Sequence, residues 1–286
     1  MTYEALGNNV YTLTLTIFRD CESAMFTPIP NQDVKITVFN GDTIYYTAPS
    51  QSSITMNYYP HNSTELPVNP SNGCLIPPLT VCMEKVVYET NLHLPYDSLG
   101  YHIAYQRCCR DPSLPTLNNP DLTGITLSTF ISEKAQQVGN SSPIFNENFS
   151  PIMCANELNI IDASATDLNG DSLVYTFCAP FLGASPFFPK PDTASHPPFQ
   201  EVAYSNGFSA TQPIMGNISI NSQTGLIHAT PNAIREFIIG ICTASRSKTK
   251  AFIAASQAIK NVFKHFNHQT VGQRTILIGH ILLFFK

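Results

Sequence analysis

The chain has 286 residues, of which 43% are hydrophobic and only 12% are charged, and its formal net charge is −5. This length predicts about two domains of roughly 100–200 residues each. The negative net charge provides no global basic surface, so the composition argues against a nucleic-acid-binding protein.

The amino-terminal part has the pattern of a series of short strands. Polar and apolar residues alternate in several runs, which predicts half-buried antiparallel strands. These runs are residues 9–18, 33–39, 43–47, 81–94, 101–108 and 124–131. Asn40-Gly41-Asp42 is a strong hairpin signal, and proline-rich stretches separate the other runs. We therefore predict a first sandwich over residues 1–145.

A second module follows a linker-like stretch, Asn140 to Ile152, that is rich in Asn, Ser and Pro. It contains further predicted strands at residues 160–161, 173–177, 218–220, 226–229 and 237–242. A long insertion, Pro180 to Phe199, carries Phe187, Phe188 and Phe199 among prolines. Such rings either form an exposed contact patch or cover one end of a sandwich. The second sandwich is predicted over residues 146–243.

The chain changes character at residue 244. All 20 acidic residues, all 22 prolines and all eight cysteines precede it, whereas residues 244–286 are basic. We interpret this tail as a frame-shifted or otherwise aberrant end. Its apolar residues Phe252, Ala255, Ile259, Val262, Phe263 and Phe266 fall at helical spacing. The predicted fold class is all-β: two antiparallel immunoglobulin-like β-sandwiches followed by an irregular or helical tail.

Eight widely spaced cysteines predict a disulfide framework formed in an oxidising compartment. They are Cys21, Cys74, Cys82, Cys108, Cys109, Cys154, Cys178 and Cys242. Neighbouring cysteines rarely bridge each other, so Cys108 and Cys109 are each expected to have a distant partner. The alternative is that several cysteines are small buried hydrophobes. The pairing stays open at this point.

The segment Asp167-Leu-Asn-Gly-Asp171 is the best candidate for a metal site. Asp167, Asn169 and Asp171 place oxygen atoms at positions one, three and five, and such hard ligands suit Ca²⁺. The alternative is a tight turn in which Asp and Asn side chains cap their own backbone.

Four motifs together resemble a known family. They are Tyr11 to Cys21, Tyr105-Gln-Arg-Cys-Cys-Arg110, Asn140 to Pro143 and Ser164 to Tyr175. The set resembles the amino-terminal region of large Bacteroidetes surface proteins, which carry PKD-type immunoglobulin-like domains and a gliding-motility-associated carboxy-terminal sorting domain. The acidic segment is also similar to the calcium loop of cadherin-like repeats. The resemblance implies export by the type IX secretion route and an extracellular, cell-surface location.

We therefore expect an exported structural or adhesion module without catalysis, whose partners are other surface proteins or glycans. No signal peptide and no apolar stretch long enough for a transmembrane segment is visible in the sequence. One alternative is a carbohydrate-binding module of a surface system. A second alternative is a hydrolase with an unrecognised site, which requires a cleft with convergent carboxylates.

Overall fold

The computed structural model describes residues 1–20, 32–45, 53–59, 63–66, 83–112, 114–146, 153–233, 235–246, 252–262 and 281–285. The described strands pair in antiparallel sheets, so the all-β prediction is confirmed. Cys21, Cys74 and Cys82 lie outside the described residues.

The regular elements of the described residues are mainly strands. In chain order, the strands are β1 (Thr2–Gly7), β2 (Val10–Asp20), β3 (Val34–Asn40), β4 (Thr43–Ile44), β5 (Ile54–Met56), β6 (Ser63–Leu66), β7 (Met83–His93), β8 (Tyr101–Arg107), β9 (Ile125–Ile131), β10 (Ile144–Phe145), β11 (Asn159–Asp162), β12 (Ala165–Thr166), β13 (Ser172–Phe177), β14 (Gly216–Ile220), β15 (Leu226–Pro231), β16 (Phe237–Arg246), β17 (Phe252–Val262) and β18 (Ile281–Phe285). A helix, α1 (Glu133–Val138), and a 3₁₀ turn at Pro120–Leu122 complete the set.

The first sandwich follows from the alternation of β2. Leu13, Leu15 and Ile17 lie on one face of this strand and are almost completely buried. They pack in the same core as Ile36 of β3 and Ile103 of β8. One layer contains β1, β2, β7 and β6, which are part of an eight-stranded sheet that continues from β2 through β18, β17 and β16 to β13. The other layer contains β4, β3, β8 and β9, with β5 beside β3. Each buried aliphatic side chain stabilises this core by about 1.5–3 kcal/mol.

The second core lies between the sheet β11–β15–β14 and the strands β13 and β16. Its buried residues include Ile161, Tyr175, Ile227, Phe237 and Ile239. The turn between β14 and β15 is closed by Asn221, whose side-chain oxygen accepts from the amides of residues 223 and 224. The predicted strands of this module are therefore formed.

Each core contains residues from the other side of the boundary predicted at residue 145. Phe18 of β2 packs in the second core, whereas Val202 and Ile238 pack in the first. The stretch predicted to be linker-like begins with Asn140, Ser141 and Ser142, all of which are buried. Ser142 pairs with β1, because its amide donates to Tyr3 O at 2.9 Å and its hydroxyl accepts from Tyr3 N at 2.8 Å.

The helix predicted in the tail is not formed at residues 252–262, and Phe263 and Phe266 of its apolar pattern lie outside the described residues. Residues 252–262 are instead strand β17, which pairs with β16 from Phe237↔Val262 to Arg246↔Phe252. Strand β18 pairs with β17 and meets β2 at Phe284↔Ile17. Helical spacing of apolar residues did not decide the structure, because the edge of β16 presents backbone groups that a neighbouring strand can satisfy.

Disulfides join cysteines of the described residues in two places. Cys178, just after β13, is bonded to Cys242 of β16, with 5.8 Å between the Cα atoms. Cys108 is bonded to its neighbour Cys109 across a cis peptide bond, so the expectation that each has a distant partner is wrong. Cys154 is also disulfide-bonded.

Candidate functional site

The acidic loop, Asp167–Asp171, is a tight turn that follows β12. Asp167 Oδ1 accepts from the backbone amides of Asn169 at 2.9 Å and of Asp171 at 3.1 Å. The amide of Gly170 donates to the Asp167 carbonyl at 3.2 Å, and Gly170 has φ +72°, a conformation that glycine adopts without a steric penalty. The turn considered as the alternative to a metal site is therefore present.

The acidic loop also contacts the segment that follows α1. Asn169 Oδ1 accepts from the amide of Ser141 at 2.8 Å, and Asp171 Oδ2 accepts from Asn140 Nδ2 at 2.8 Å. Asn140 and Ser141 follow the carboxyl end of α1, where Gly139 adopts the left-handed conformation. The helix itself begins at a side-chain cap, since Ser132 accepts from the Ala135 amide. Helix α1 therefore positions Asn140 and Ser141 beside the acidic loop.

Several buried oxygen atoms at this junction have no hydrogen-bond partner. They are Asp167 Oδ2, Asn140 Oδ1 and Tyr3 Oη. Burial raises the pKa of Asp167, and this effect outweighs the backbone hydrogen bonds from Asp171 and Asn169, which lower the pKa; the negative charge of Asp171 raises it further. Burial also raises the pKa of Tyr3, with smaller contributions from Tyr11 and Asp167. Unpartnered buried oxygens are costly, so the junction favours an additional positive or donating group.

The donor set agrees only in part with the predicted ligands. Asp167 has a free oxygen, but the side-chain oxygen of Asn169 is engaged by Ser141 and one oxygen of Asp171 by Asn140. Asn140 was named in the sequence as the start of a motif and of a linker-like stretch, but it was not predicted to be part of this site. Across the described ranges, no three His, Cys, Asp or Glu residues are grouped as metal ligands. A cation here would rely on amide as well as carboxylate oxygens.

The predicted insertion, Pro180 to Phe199, lies within the longer segment 178–215 that joins β13 to β14, and this whole segment is called the insertion below. Its middle lies over the sheet of the first sandwich. The amide of Ala194 donates to Thr37 Oγ1 at 2.8 Å, and the amide of Ser195 donates to Gln106 Oε1 at 3.0 Å. Lys35 and Asp192 form an exposed ion pair of 2.6 Å. Thus β3 and β8 both hold the middle of the insertion.

The start of the insertion is fixed on β9 and on the segment that follows β8. The hydroxyl of Thr126 donates to the carbonyl of Leu182. A methyl group added at Gly124 would overlap the carbonyl oxygen of Gly183, so the two backbones are in direct contact. The amide of Cys108 donates to Pro189 O at 3.0 Å. These contacts order an irregular segment that contains no long strand.

A groove with a volume of about 650 Å³ lies between the insertion and β8. Its polar side chains include Gln106, Ser195 and Gln200, and its rings are Phe188, His196 and Phe199. His196 packs against Phe39 with ring centroids 4.9 Å apart, and Phe199 packs against Phe181 at 5.8 Å. Among the described residues that line the groove, none is Asp, Glu, Lys or Arg.

A turn at residues 185–188 presents two phenylalanines at the rim of this groove. Ser185 and Phe188 exchange backbone hydrogen bonds of 3.3 and 3.0 Å, and the Ser185 hydroxyl also accepts from the Phe188 amide. The side chain of Phe187 is 89% exposed and that of Phe188 is 73% exposed, the highest values among the described large hydrophobic residues. Phe188 lines the groove and Phe187 does not. Of the two alternatives considered for these rings, exposure holds for Phe187 and Phe188, whereas Phe199 is half-buried.

A buried arginine lies beneath the insertion. Arg110 is 2% exposed and donates through Nη2 to the carbonyl of Phe181 at 3.2 Å, while Nε and Nη1 have no partner. Burial lowers the pKa of Arg110 to about 9. The nearby Tyr204 hydroxyl is also unpartnered, and burial raises the pKa of Tyr204 to about 12. Arg110 thus tethers the insertion through a carbonyl.

In the part of the chain that the structure describes, no helix combines the length and apolar character needed to cross a membrane. No protein-family model, no curated protein and no solved structure matches this chain.

Proposed function

We propose that this chain is a non-catalytic adhesion module of the bacterial cell surface and that its insertion is the contact surface. The observation that carries the proposal is the exposure of Phe187 and Phe188 on an anchored turn. Burying one such ring against a partner stabilises the complex by about 1.5–3 kcal/mol. Adjacent exposed rings are therefore suited to be the anchors of an interface.

The turn is held in place before any partner arrives. Hydrogen bonds to Thr37 and Gln106 fix the middle of the insertion, and the Cys108 amide fixes Pro189 directly beside the turn. Ordering a loop on binding costs free energy, and a loop that is already ordered avoids that cost. This geometry supports a recognition role for the turn.

The surface location is supported by the cysteines. Cys178–Cys242 and Cys108–Cys109 are disulfides, and such bonds persist in oxidising, extracytoplasmic environments. Together with the resemblance to Bacteroidetes surface proteins, they favour export, for which the type IX route is the proposed path. Protease treatment of intact cells that produce the protein tests the location. Degradation without cell lysis is expected, and complete protection would contradict it.

The absence of charged groups in the groove supports binding rather than hydrolysis. Glycoside hydrolysis uses a pair of carboxylates that flank the scissile bond. The described residues that line the groove include no Asp or Glu, so this cleft lacks the pair that the hydrolase alternative requires.

Adhesion is tested with cells that display the full chain. The variant Phe187→Ser/Phe188→Ser removes both exposed rings, and Leu99→Ser/Leu158→Ser removes two side chains that are each 63% exposed elsewhere. At equal display, we expect the phenylalanine variant to lose cell–cell clumping and the leucine variant to clump like the wild type. Unchanged clumping of the phenylalanine variant would overturn the proposal.

Calcium is the cofactor that we propose for the domain junction. Asp167 Oδ2 and Asn140 Oδ1 are unpartnered oxygens from the two domains, and Asp171 contacts Asn140. Carboxylate and amide oxygens are the ligands that Ca²⁺ prefers. A bound cation would offset the repulsion between Asp167 and Asp171, which share one turn.

Calorimetric titration of the full chain with Ca²⁺, beside thermal melting with and without chelator, tests this proposal. We expect binding and a rise in melting temperature, because a ligand that binds only the folded state stabilises it. Both effects should vanish in Asp171→Ala. A folded wild-type chain that shows neither effect would leave the loop as an interdomain turn.

A further inference from the structure

We infer that the groove binds a neutral oligosaccharide and that Phe188 is the platform on which a sugar ring stacks. This inference rests on the proposed function, because it names the chemical class of partner for the same surface. It goes further by assigning the groove, Phe188 and Gln200 as a binding site.

The size of the groove suits a chain of sugar units. Its volume of about 650 Å³ lies within the range of about 300–1,000 Å³ that is typical of ligand pockets. The floor is formed in part by Gln106 of β8, which is only 5% exposed, and the walls are formed by the insertion. Because strand residues and anchored backbone hold both surfaces, the cavity is preformed.

The absence of charge in the lining selects a neutral ligand. A sulfated or uronic-acid polymer would require a basic partner, and the described residues that line the groove include neither Lys nor Arg. A cationic peptide would require a carboxylate, which the described lining also lacks. A charged ligand would lose its hydration without gaining an ion pair, and that loss is unfavourable.

The polar groups of the groove match the hydroxyl groups of a sugar, which both donate and accept hydrogen bonds. Gln200 is exposed, and its side-chain amide offers two donors and one acceptor. The Ser195 hydroxyl accepts from Gln106 Nε2 at 2.7 Å and keeps its own proton for donation outward. Gln106 is held by Thr126 and Ser195 together, so the orientation of that hydroxyl is constrained.

Phe188 supplies the apolar contact. A pyranose ring has one face made largely of C–H groups, and such a face packs well against the electron-rich face of an aromatic ring. Phe188 is 73% exposed and still lines the groove, so one ring can serve a ligand that occupies it. Phe187, its neighbour, is more exposed but does not line the groove. A protein partner would bury both rings, whereas a sugar in the groove would contact Phe188 alone.

Calorimetry on the full chain tests the assignment with cellohexaose, maltohexaose, mannohexaose and xylohexaose as probes. We expect at least one of these neutral chains to bind. We expect Phe188→Ala to weaken that binding about tenfold, the loss of one aromatic contact. Gln200→Ala should also weaken it, and Phe187→Ala should weaken it less than Phe188→Ala does. The control Leu158→Ala, at a residue that is 63% exposed away from the groove, should change the affinity less than about twofold. Competition by a charged polymer such as polygalacturonate should be weak.

The outcomes separate this inference from the proposed function. No binding by any probe, or binding that survives Phe188→Ala, overturns the sugar assignment even when clumping depends on both phenylalanines. Equal losses in Phe187→Ala and Phe188→Ala also overturn it, because they indicate a partner that covers both rings. The adhesion proposal fails on its own readout, which is unchanged clumping of cells that display Phe187→Ser/Phe188→Ser.

Discussion

The acidic loop and the insertion are both irregular segments, and each contacts residues of the predicted first sandwich. They differ in the groups that lack a partner: buried oxygen atoms in one and exposed aromatic rings in the other. At the acidic loop, the oxygens of Asp167 and Asn140 are buried and have no partner. At the insertion, the rings of Phe187 and Phe188 are unburied although their backbone is well bonded. Buried oxygens point to a small cation, and exposed rings point to a large surface or a sugar. The two proposals therefore differ in the kind of ligand: a cation at the acidic loop, and a partner surface or a sugar at the insertion.

The largest expected effect concerns the disulfide Cys178–Cys242 at the start of the insertion. The acidic loop, in contrast, is held by hydrogen bonds. Cys178 and Cys242 are 64 positions apart, and closing a loop of that length stabilises the folded state by about 4 kcal/mol. We expect Cys178→Ser/Cys242→Ser to lower the free energy of unfolding by about that amount. Denaturant titration measures it. A loss below about 1 kcal/mol would show that hydrogen bonds alone fix the insertion.

A smaller loss of stability is expected from Gly124→Ala, which should disrupt the packing of the insertion and leave the acidic loop unchanged. In Gly124→Ala the new methyl group would overlap the carbonyl of Gly183, and such overpacking typically costs about 1–3 kcal/mol. Limited proteolysis should then show new cleavage within residues 178–215. Cleavage spread evenly over both domains would instead indicate global unfolding and contradict a separable insertion.

At the acidic loop, the change Asp167→Asn should have opposite signs with and without calcium. In chelator we expect a stability gain of about 1 kcal/mol, because a desolvated carboxylate is replaced by a neutral amide. In calcium we expect a loss relative to the wild type, because a ligand is removed. Thermal melting in both buffers measures the stability difference between Asp167→Asn and the wild type. A stability change of the same sign in both buffers would contradict the proposal that the unpartnered oxygens bind a cation.

The same carboxyl predicts a pH dependence. Burial raises the folded-state pKa of Asp167, so the folded chain binds this proton more tightly than the unfolded chain does. Its stabilising contribution is present below the unfolded pKa of about 4 and is lost as the pH rises through the raised folded pKa. In chelator, the advantage of Asp167→Asn over the wild type should therefore increase between about pH 4 and pH 7. A constant difference would contradict this assignment.

The smallest expected effect is on the stability of the adhesion variant. Because Phe187 and Phe188 are mostly exposed, Phe187→Ser/Phe188→Ser should change the free energy of unfolding by less than about 0.5 kcal/mol per site. Thermal melting checks this. A larger loss of unfolding free energy would indicate that the two rings pack within the fold. The contrast between exposed rings in the insertion and buried oxygens in the acidic loop would then no longer hold.

Regular alternation made the strands predictable, while contacts between distant residues were not. The runs that became β2 and β3 were predicted because their apolar residues repeat at every second position. Helix α1 was missed because six residues are too few to show a helical period. The helical alternative for the tail was wrong over residues 252–262, because the apolar spacing fits a helix whereas the edge of β16 provides a partner for a strand.

The candidate sites were predictable only in their local parts. The acidic loop and the phenylalanines of the insertion were visible as sequence motifs. Asn140 contacts Asp171 across 31 positions, and Thr37 contacts Ala194 across 157. No local pattern encodes such pairs, because they depend on how two sheets pack. The groove follows from these contacts and therefore required the structure.

The position of the insertion has a consequence for the order in which the molecule is made. Residues 178–205 cover the outer side of β8 and β9, and Val202 belongs to the first core. A chain synthesised from its amino terminus must therefore extend past Val202 before its first sandwich can be completed. Until then, Thr37, Gln106 and Thr126 remain open to water, and the early strands depend on contacts that are distant in sequence. We therefore expect the first sandwich to fold slowly, because its completion requires the insertion to be synthesised first.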